Sequence, residues 1–270
     1  MKLGVSTWAY AWAIGVPGYA PSKPMDVFSF VRRSAQLGVR LVQIADNLPL
    51  DGLPKEDLDA LAVETERLGL SVEVGTRGLE HERLDAYLEL CLRFKSPILR
   101  TITDLPGQEP PLEDIIVTIK SVIQEFEQAG VTLAIENHDR FTAREFERLI
   151  QEVASPNIGI CLDTVNSFGA LEGPEAVVGR LAPYTVNLHL KEFTIRRADF
   201  LMGFQIEGKP AGQGRLDIPW LLGQIRDNGH DPNAILEQWP YPEPDIEKTI
   251  RKEDDWAAES VSFLRALIAE

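Results

Sequence analysis

The feature that most constrains this chain is an alternation, eight times over, of short apolar runs with segments of helical period. The runs lie at 3–7 (LGVST), 39–45 (VRLVQIA), 71–75 (SVEVG), 97–102 (PILRTI), 131–137 (VTLAIEN), 158–164 (IGICLDT), 185–190 (TVNLHL) and 234–239 (AILEQW). Runs this short, with turn residues between them and the helices, read as buried parallel strands. Between them, helical spacing predicts helices over 25–37, 57–68, 82–94, 114–129, 142–153, 174–181, 218–228 and from about 245 to 268. Gly38, Gly69, Gly130 and Gly229 stand where four of them end. The first seven strand starts fall about thirty residues apart, and no Pro/Ser linker divides the chain. Eight βα units in 270 residues predict one (β/α)8 TIM barrel, a single domain over 1–270. A doubly wound open sheet is the rival, but no GxGxxG turn supports it.

Two stretches break the rhythm. Residues 8–24 interleave Trp8, Tyr10, Trp12 and Tyr19 with Gly15, Pro17, Gly18 and Pro21. They read as an irregular loop that either stacks Trp12 on a sugar face or packs over the barrel mouth. The interval from His189 to Glu237 is 48 residues long and holds one good helix, so 193–217 is expected as a long loop.

Four of the runs end in a hard ligand: Glu136, Asp163, His189 and Glu237. In a (β/α)8 barrel the C-terminal strand ends carry the chemistry, and alternation along each strand can turn all four side chains inward. A lone carboxylate at a strand end is often an ion-pair partner. Four such residues on successive strands point instead to a divalent cation, since buried charges must be paired or coordinate metal. Three carboxylates and one imidazole favour Mn²⁺, with Mg²⁺, Co²⁺ and Zn²⁺ as alternatives.

Charge excludes one class of partner. At a net charge of −15 the surface repels phosphate backbones, so no nucleic acid is expected. Cys91 and Cys161 sit within apolar patterns and read as core thiols of a reducing compartment. The start lacks a signal-peptide pattern, and no stretch reaches the ~20 apolar residues of a membrane span, so a cytoplasmic protein with no membrane partner is expected.

The segments AIEN (Glu136), LDT (Asp163), LHLKE (His189), GQGRLD (212–217) and LEQW (Glu237) resemble the xylose-isomerase-like TIM-barrel superfamily, along essentially the whole chain. That group includes ketose 3-epimerases, hydroxypyruvate isomerase, inosose isomerase and dehydratase, and endonuclease IV. By resemblance to the ketose 3-epimerases, Glu136 and Glu237 are metal ligands and also the acid–base pair. Those enzymes carry a histidine three residues after the aspartate, where this chain has Asn166. The resemblance also implies that the 212–217 loop reaches over the site as a lid and that such barrels often pair; a homo-oligomer is left open. The trinuclear zinc centre of endonuclease IV needs more imidazoles than four histidines supply, with His81 on a helix start and His230 on a turn.

A basic group accompanies the acids: Arg77, Arg100, Lys191, Arg196, Arg197 and Arg215. Cations at C-terminal strand ends of so acidic a chain suggest an anionic substrate, with Lys191 the best single candidate and Arg100 and Arg215 behind it. The plainer reading is that each balances a local acid such as Glu73, Asp104 or Glu192. His138 either faces the cavity or bonds a backbone carbonyl. Asn137 and Asn166 read as hydrogen-bonding partners of ligands or substrate. Gly212, Gln213 and Gly214 are a weak phosphate-loop signal, because glycines mark most turns.

The expectation is a metal-dependent isomerase or epimerase of a small keto-sugar or sugar acid, working through an enediolate with two glutamates as acid and base. The alternative within enzymes is a decarboxylase or dehydratase of an oxo sugar acid such as 3-oxo-isoapionate, which the basic group favours. A barrel that binds a metabolite without turning it over is the non-enzymatic reading.

Overall fold

The computed structural model describes residues 1–268. Eight parallel strands close into one barrel: β1 Leu3–Ser6, β2 Leu41–Ile44, β3 Ser71–Arg77, β4 Ile98–Ile102, β5 Thr132–Glu136, β6 Ile158–Asp163, β7 Thr185–Leu190 and β10 Asn233–Leu236. Each strand pairs with its sequence neighbour in the barrel, and β1 meets β10 through Leu3–Ala234 and Val5–Leu236. The helices α2 Val27–Gln36, α3 Lys55–Arg67, α4 His81–Phe94, α5 Leu112–Ala129, α6 Ala143–Val153, α7 Pro174–Leu181, α8 Ile218–Asp227 and α9 Ile246–Arg265 lie between and after these strands. The expected (β/α)8 architecture is therefore what the chain adopts.

Local chemistry sets the element ends. In α5 the buried side chains Ile115, Ile116, Ile119, Val122, Ile123 and Phe126 repeat at helical spacing, and the helix stops where Gly130 takes φ 67°. Thr142 starts α6 with a capping box, its hydroxyl accepting from the Glu145 amide while the Glu145 carboxylate accepts from the Thr142 amide. The apolar faces of these helices and the outward faces of the strands form one continuous core.

Both loop expectations are corrected. Within 8–24 the chain turns through a 3-10 segment, Thr7–Tyr10, into a short helix α1, Ala11–Ile14. Ser6 caps this entry by accepting from the Trp8 amide at 3.1 Å, and Tyr10 is buried against Phe30. The long interval holds an antiparallel hairpin, β8 Phe193–Arg197 and β9 Phe204–Gly208. Its signal was in the sequence, since FTIRR and FQIEG alternate with the period of a strand. No helix among the described residues is long and apolar enough to cross a membrane.

Candidate metal centre

Glu136 closes β5, Asp163 closes β6, His189 lies one residue before the end of β7, and Glu237 follows β10 by one. Strand register sets them side by side, with Asp163 opposite His189. All four side chains are buried. They gather around one ring nitrogen: His189 Nδ1 is 3.2 Å from Glu136, 3.3 Å from Glu237 and 3.9 Å from Asp163.

The donors present fit a cation. His189 Nδ1, Asp163 Oδ2 and both carboxylate oxygens of Glu237 are buried without a hydrogen-bond partner, in one place. The Lys191 ammonium lies 2.9 Å from Asp163 Oδ2 and Glu237 Oε2, so the unmet need centres on His189 Nδ1 and Glu237 Oε1. An unpaired buried polar atom costs roughly 1–3 kcal/mol. Ligand atoms of Asp163, His189 and Glu237 lie within 4.8 Å of one another, and so do those of Glu136, Cys161 and His189. Cys161 is still the core thiol expected: burial pushes it up to about 11, and its sulfur bonds the Asn187 side chain at 3.4 Å.

The two glutamates differ in their surroundings. Both oxygens of Glu136 accept hydrogen bonds, one from the Arg100 guanidinium and the other from the Asn166 amide at 2.7 Å. Burial opposes its charge, but Arg100 and His189 hold its carboxyl well below the usual range. Glu237 accepts no hydrogen bond, and its nearest cation is Lys191. The Lys191 ammonium lies 2.9 Å from both Asp163 and Glu237, on the side of the cluster that reaches solvent. Burial works against that ammonium, yet the adjacent acids keep it charged.

Arg100 is fully buried and also bonds Asp46 at 2.8 Å and the Thr76 carbonyl at 3.2 Å. Its partners in the fold are thus carboxylates of the chain itself. Asn166 bridges the site, donating to Glu136 and accepting from Lys191 at 3.3 Å. Asn137 is turned towards β6, where it donates to the Asp163 carbonyl and the Ser167 hydroxyl and accepts from the Asp163 amide. It holds the Asp163 backbone in place. His138 is half-buried and pairs with Asp139 at 3.3 Å. Trp12 donates its indole N–H to the Pro240 carbonyl and meets Tyr19 edge to face.

Arg77, Arg196 and Arg197 have local partners. Arg77 donates to the Asp104 carbonyl, Arg196 pairs with Glu207 and Asp199, and Arg197 covers the Phe204 ring. Arg215 is exposed, with its amide on the Phe193 carbonyl. The glycine turn binds an anion of the chain itself: Glu192 accepts from the amides of Gly212 and Leu216 at 3.1 and 2.9 Å. Gly214 packs so tightly there that a Cβ would come within 2.2 Å of the Phe193 carbonyl oxygen.

Sequence reasoning missed the polar residues of the barrel interior. Gln43 and Asn187 are buried within strands read only as apolar runs. Glu73 meets the amides of Gln43, Asn187 and Asn233 and not the nearby cation expected of it, and Asp46 follows β2 to meet Arg100 and the Trp8 indole. The available signal was a polar residue interrupting an apolar run, as in LVQI and VEV.

The family described as xylose isomerase-like TIM barrel matches residues 31–267. A 3-oxo-isoapionate decarboxylase of Pectobacterium atrosepticum is 31% identical over 266 residues, covering 98% of this chain and 95% of that one. Among solved structures, a D-psicose 3-epimerase crystallised with D-fructose superposes at TM-score 0.75 and 15% identity, covering 100% of both chains. A xylose isomerase-like TIM-barrel protein of Mycobacterium smegmatis in complex with magnesium follows at 0.70 and 13%, covering 97% of each. At these identities the two structures bear on the fold alone.

Proposed function

The chain belongs to the xylose isomerase-like TIM-barrel family, and on that premise we propose that it is a divalent-metal-dependent decarboxylase of a small β-oxo sugar acid. The observation that carries this reading is the inequality of Glu136 and Glu237. Epimerisation by two carboxylates needs two groups free to exchange protons with carbon. Glu136 has both oxygens occupied by hydrogen bonds from Arg100 and Asn166, which tie it in place, whereas Glu237 accepts no hydrogen bond. Against burial, neighbouring cations hold both carboxyls below the usual range, so the difference lies in these bonds. Its part is that of an oriented ligand. Loss of carbon dioxide needs no C–H abstraction, and one proton-carrying group suffices.

Glu136, Asp163, His189 and Glu237 are the residues that would hold the ion, and Mn²⁺ suits their donor set. A divalent ion there supplies positive charge for the oxo oxygen of the substrate. When the bond to the carboxyl carbon breaks, its electron pair passes into an enolate, carbon dioxide leaves, and the former α-carbon takes up a proton. Glu237, whose oxygens accept no hydrogen bond, delivers that proton, which reaches it by way of the Lys191 ammonium 2.9 Å away on the solvent side. Lys191 lies on the open side and attracts an acidic substrate, its N–H groups facing the oxygens that gain charge. Arg100 keeps Glu136 ionised and aimed, and Asn166 ties Glu136 to Lys191. The full-length likeness to a decarboxylase of 3-oxo-isoapionate supports the substrate class.

An isomerase or epimerase of a keto-sugar is the second reading, supported by the presence of glutamates at both 136 and 237. The test separates them. Purified protein is stripped with chelator, reloaded with Mn²⁺ and given β-oxo sugar acids and free ketoses. Stoichiometric carbon dioxide from the acids, lost with chelator and restored by Mn²⁺, is expected. Interconversion of ketose isomers without gas release would overturn the proposal in favour of the second reading.

A further inference from the structure

Beneath the candidate ligands the barrel interior carries a buried chain of amides ending on one carboxylate. His189 turns Nδ1 to the acidic cluster, and its other ring nitrogen, Nε2, lies 2.7 Å from Gln43 Oε1. An imidazole can offer a lone pair on Nδ1 only if the hydrogen sits on Nε2, so the group facing Nε2 decides whether the ring is ready for a cation.

That group is Gln43, and its orientation is not free. The Gln43 amide nitrogen donates to Glu73 at 3.2 Å and to Asn187 Oδ1 at 3.0 Å. Asn187 is held in its own orientation because its nitrogen donates to Glu73 at 2.9 Å. On the other oxygen of Glu73, Asn233 donates at 2.7 Å, while Asn233 Oδ1 accepts from the Lys2 amide at 3.0 Å. Rotating Gln43 by half a turn would press its oxygen on the carboxylate of Glu73. Three amide donors therefore converge on one acceptor, and Gln43 is left with only its oxygen to show His189.

We propose that Glu73 and Gln43 are positioning residues that select the Nε2–H form of His189 and so hold the Nδ1 lone pair ready for the divalent ion. The inference rests on the metal-site reading above and adds residues that touch neither ion nor substrate. Partners of this kind typically contribute 10–100-fold in metal affinity. The carboxylate acts at two removes from the ligand: it orients an amide, and the amide orients the ring.

The test uses full-length protein labelled with ¹⁵N and read in two ways. In metal-free protein, brought to a pH high enough to make the ring neutral against the carboxylates that face Nδ1, the imidazole ¹⁵N shifts of His189 report which nitrogen bears hydrogen, with His81, His138 and His230 as internal references. Calorimetry with MnCl₂ reports affinity. Wild type is expected to show the Nε2–H form. Glu73→Gln, which frees the Gln43 amide to turn, and Gln43→Leu, which removes it, are expected to mix the two forms and weaken Mn²⁺ binding 10–100-fold. The exchanged pair Gln43→Glu with Glu73→Gln puts an acceptor-only group against Nε2 and is expected to recover the wild-type spectrum and most of the affinity. A merely structural role predicts no such recovery. Wild-type spectra and affinity within twofold in both single variants would overturn the proposal, and if one single variant does not fold the other decides. Wild type that takes up no Mn²⁺ would sink the metal reading, while the ¹⁵N spectra would still decide the ring form.

Discussion

Replacing Arg100 by Met removes the cation that faces the buried Glu136 carboxylate. The guanidinium bonds Glu136, Asp46 and the Thr76 carbonyl, and both Arg100 and Glu136 are buried. In the variant Asp46 keeps the Trp8 indole at 3.1 Å, and Glu136 keeps Asn166 and His189, so one buried negative charge loses its main counter-ion. Breaking such a pair by removing one partner costs about 3–5 kcal/mol. At the ~2 °C per kcal/mol expected of a chain this long, melting should fall by roughly 6–10 °C. Thermal melts of metal-free protein measure it. Glu136→Gln in the Arg100→Met background removes the stranded charge and should recover about 1–3 kcal/mol of the loss. Saturating Mn²⁺ should also raise the variant's midpoint more than that of wild type, because the ion supplies the missing charge. A midpoint within 1 °C of wild type, or strict additivity of the two substitutions, would refute the assignment of Arg100 as the counter-ion of Glu136.

Three further outcomes are expected. Lys191→Met should raise KM for β-oxo acids at least tenfold while leaving binding of neutral ketoses within about threefold; equal losses in a competition assay would make Lys191 a structural lysine. Glu253, buried on α9, accepts from the amides of Trp12 and Ala13 at 2.9 and 3.0 Å, yet burial outweighs those donors and pushes it up to about 8. Its folded value lies above the unfolded one, so its contribution is fully present below about 4.5 and is lost as pH rises through 8. Urea melts should therefore show wild type losing a few kcal/mol, roughly, between pH 5 and pH 9, with that slope reduced in Glu253→Gln; parallel slopes would remove Glu253 as its cause. Gly214→Ala drives a methyl group onto the Phe193 carbonyl and Glu192, so it should destabilise by about 1–3 kcal/mol in the same melts, and a neutral result would mean that the turn gives way.

The barrel and the gathering of Glu136, Asp163, His189 and Glu237 follow from information held in short stretches of chain. An apolar run bounded by turn residues is a strand wherever it lies, and a polar residue at its C-terminal end points to the mouth once the strands close. Hence eight strands and the four side chains that converge at the mouth could be read in order along the sequence. The hairpin β8 and β9 is equally local, with alternation confined to five residues in each strand.

Partnership was not local. Arg100 reads along the chain as one cation among six, free to meet a substrate, and only closure of the barrel sets it on a carboxylate 36 residues away. Gln43 meets His189 across 146 residues, and Glu73 meets Asn187 across 114. Spacing says which apolar groups are inside, because their burial follows from hydrophobic pattern. Which donor finds which acceptor depends on strand register and on the circumference of the closed sheet, and those are fixed by packing the whole molecule at once.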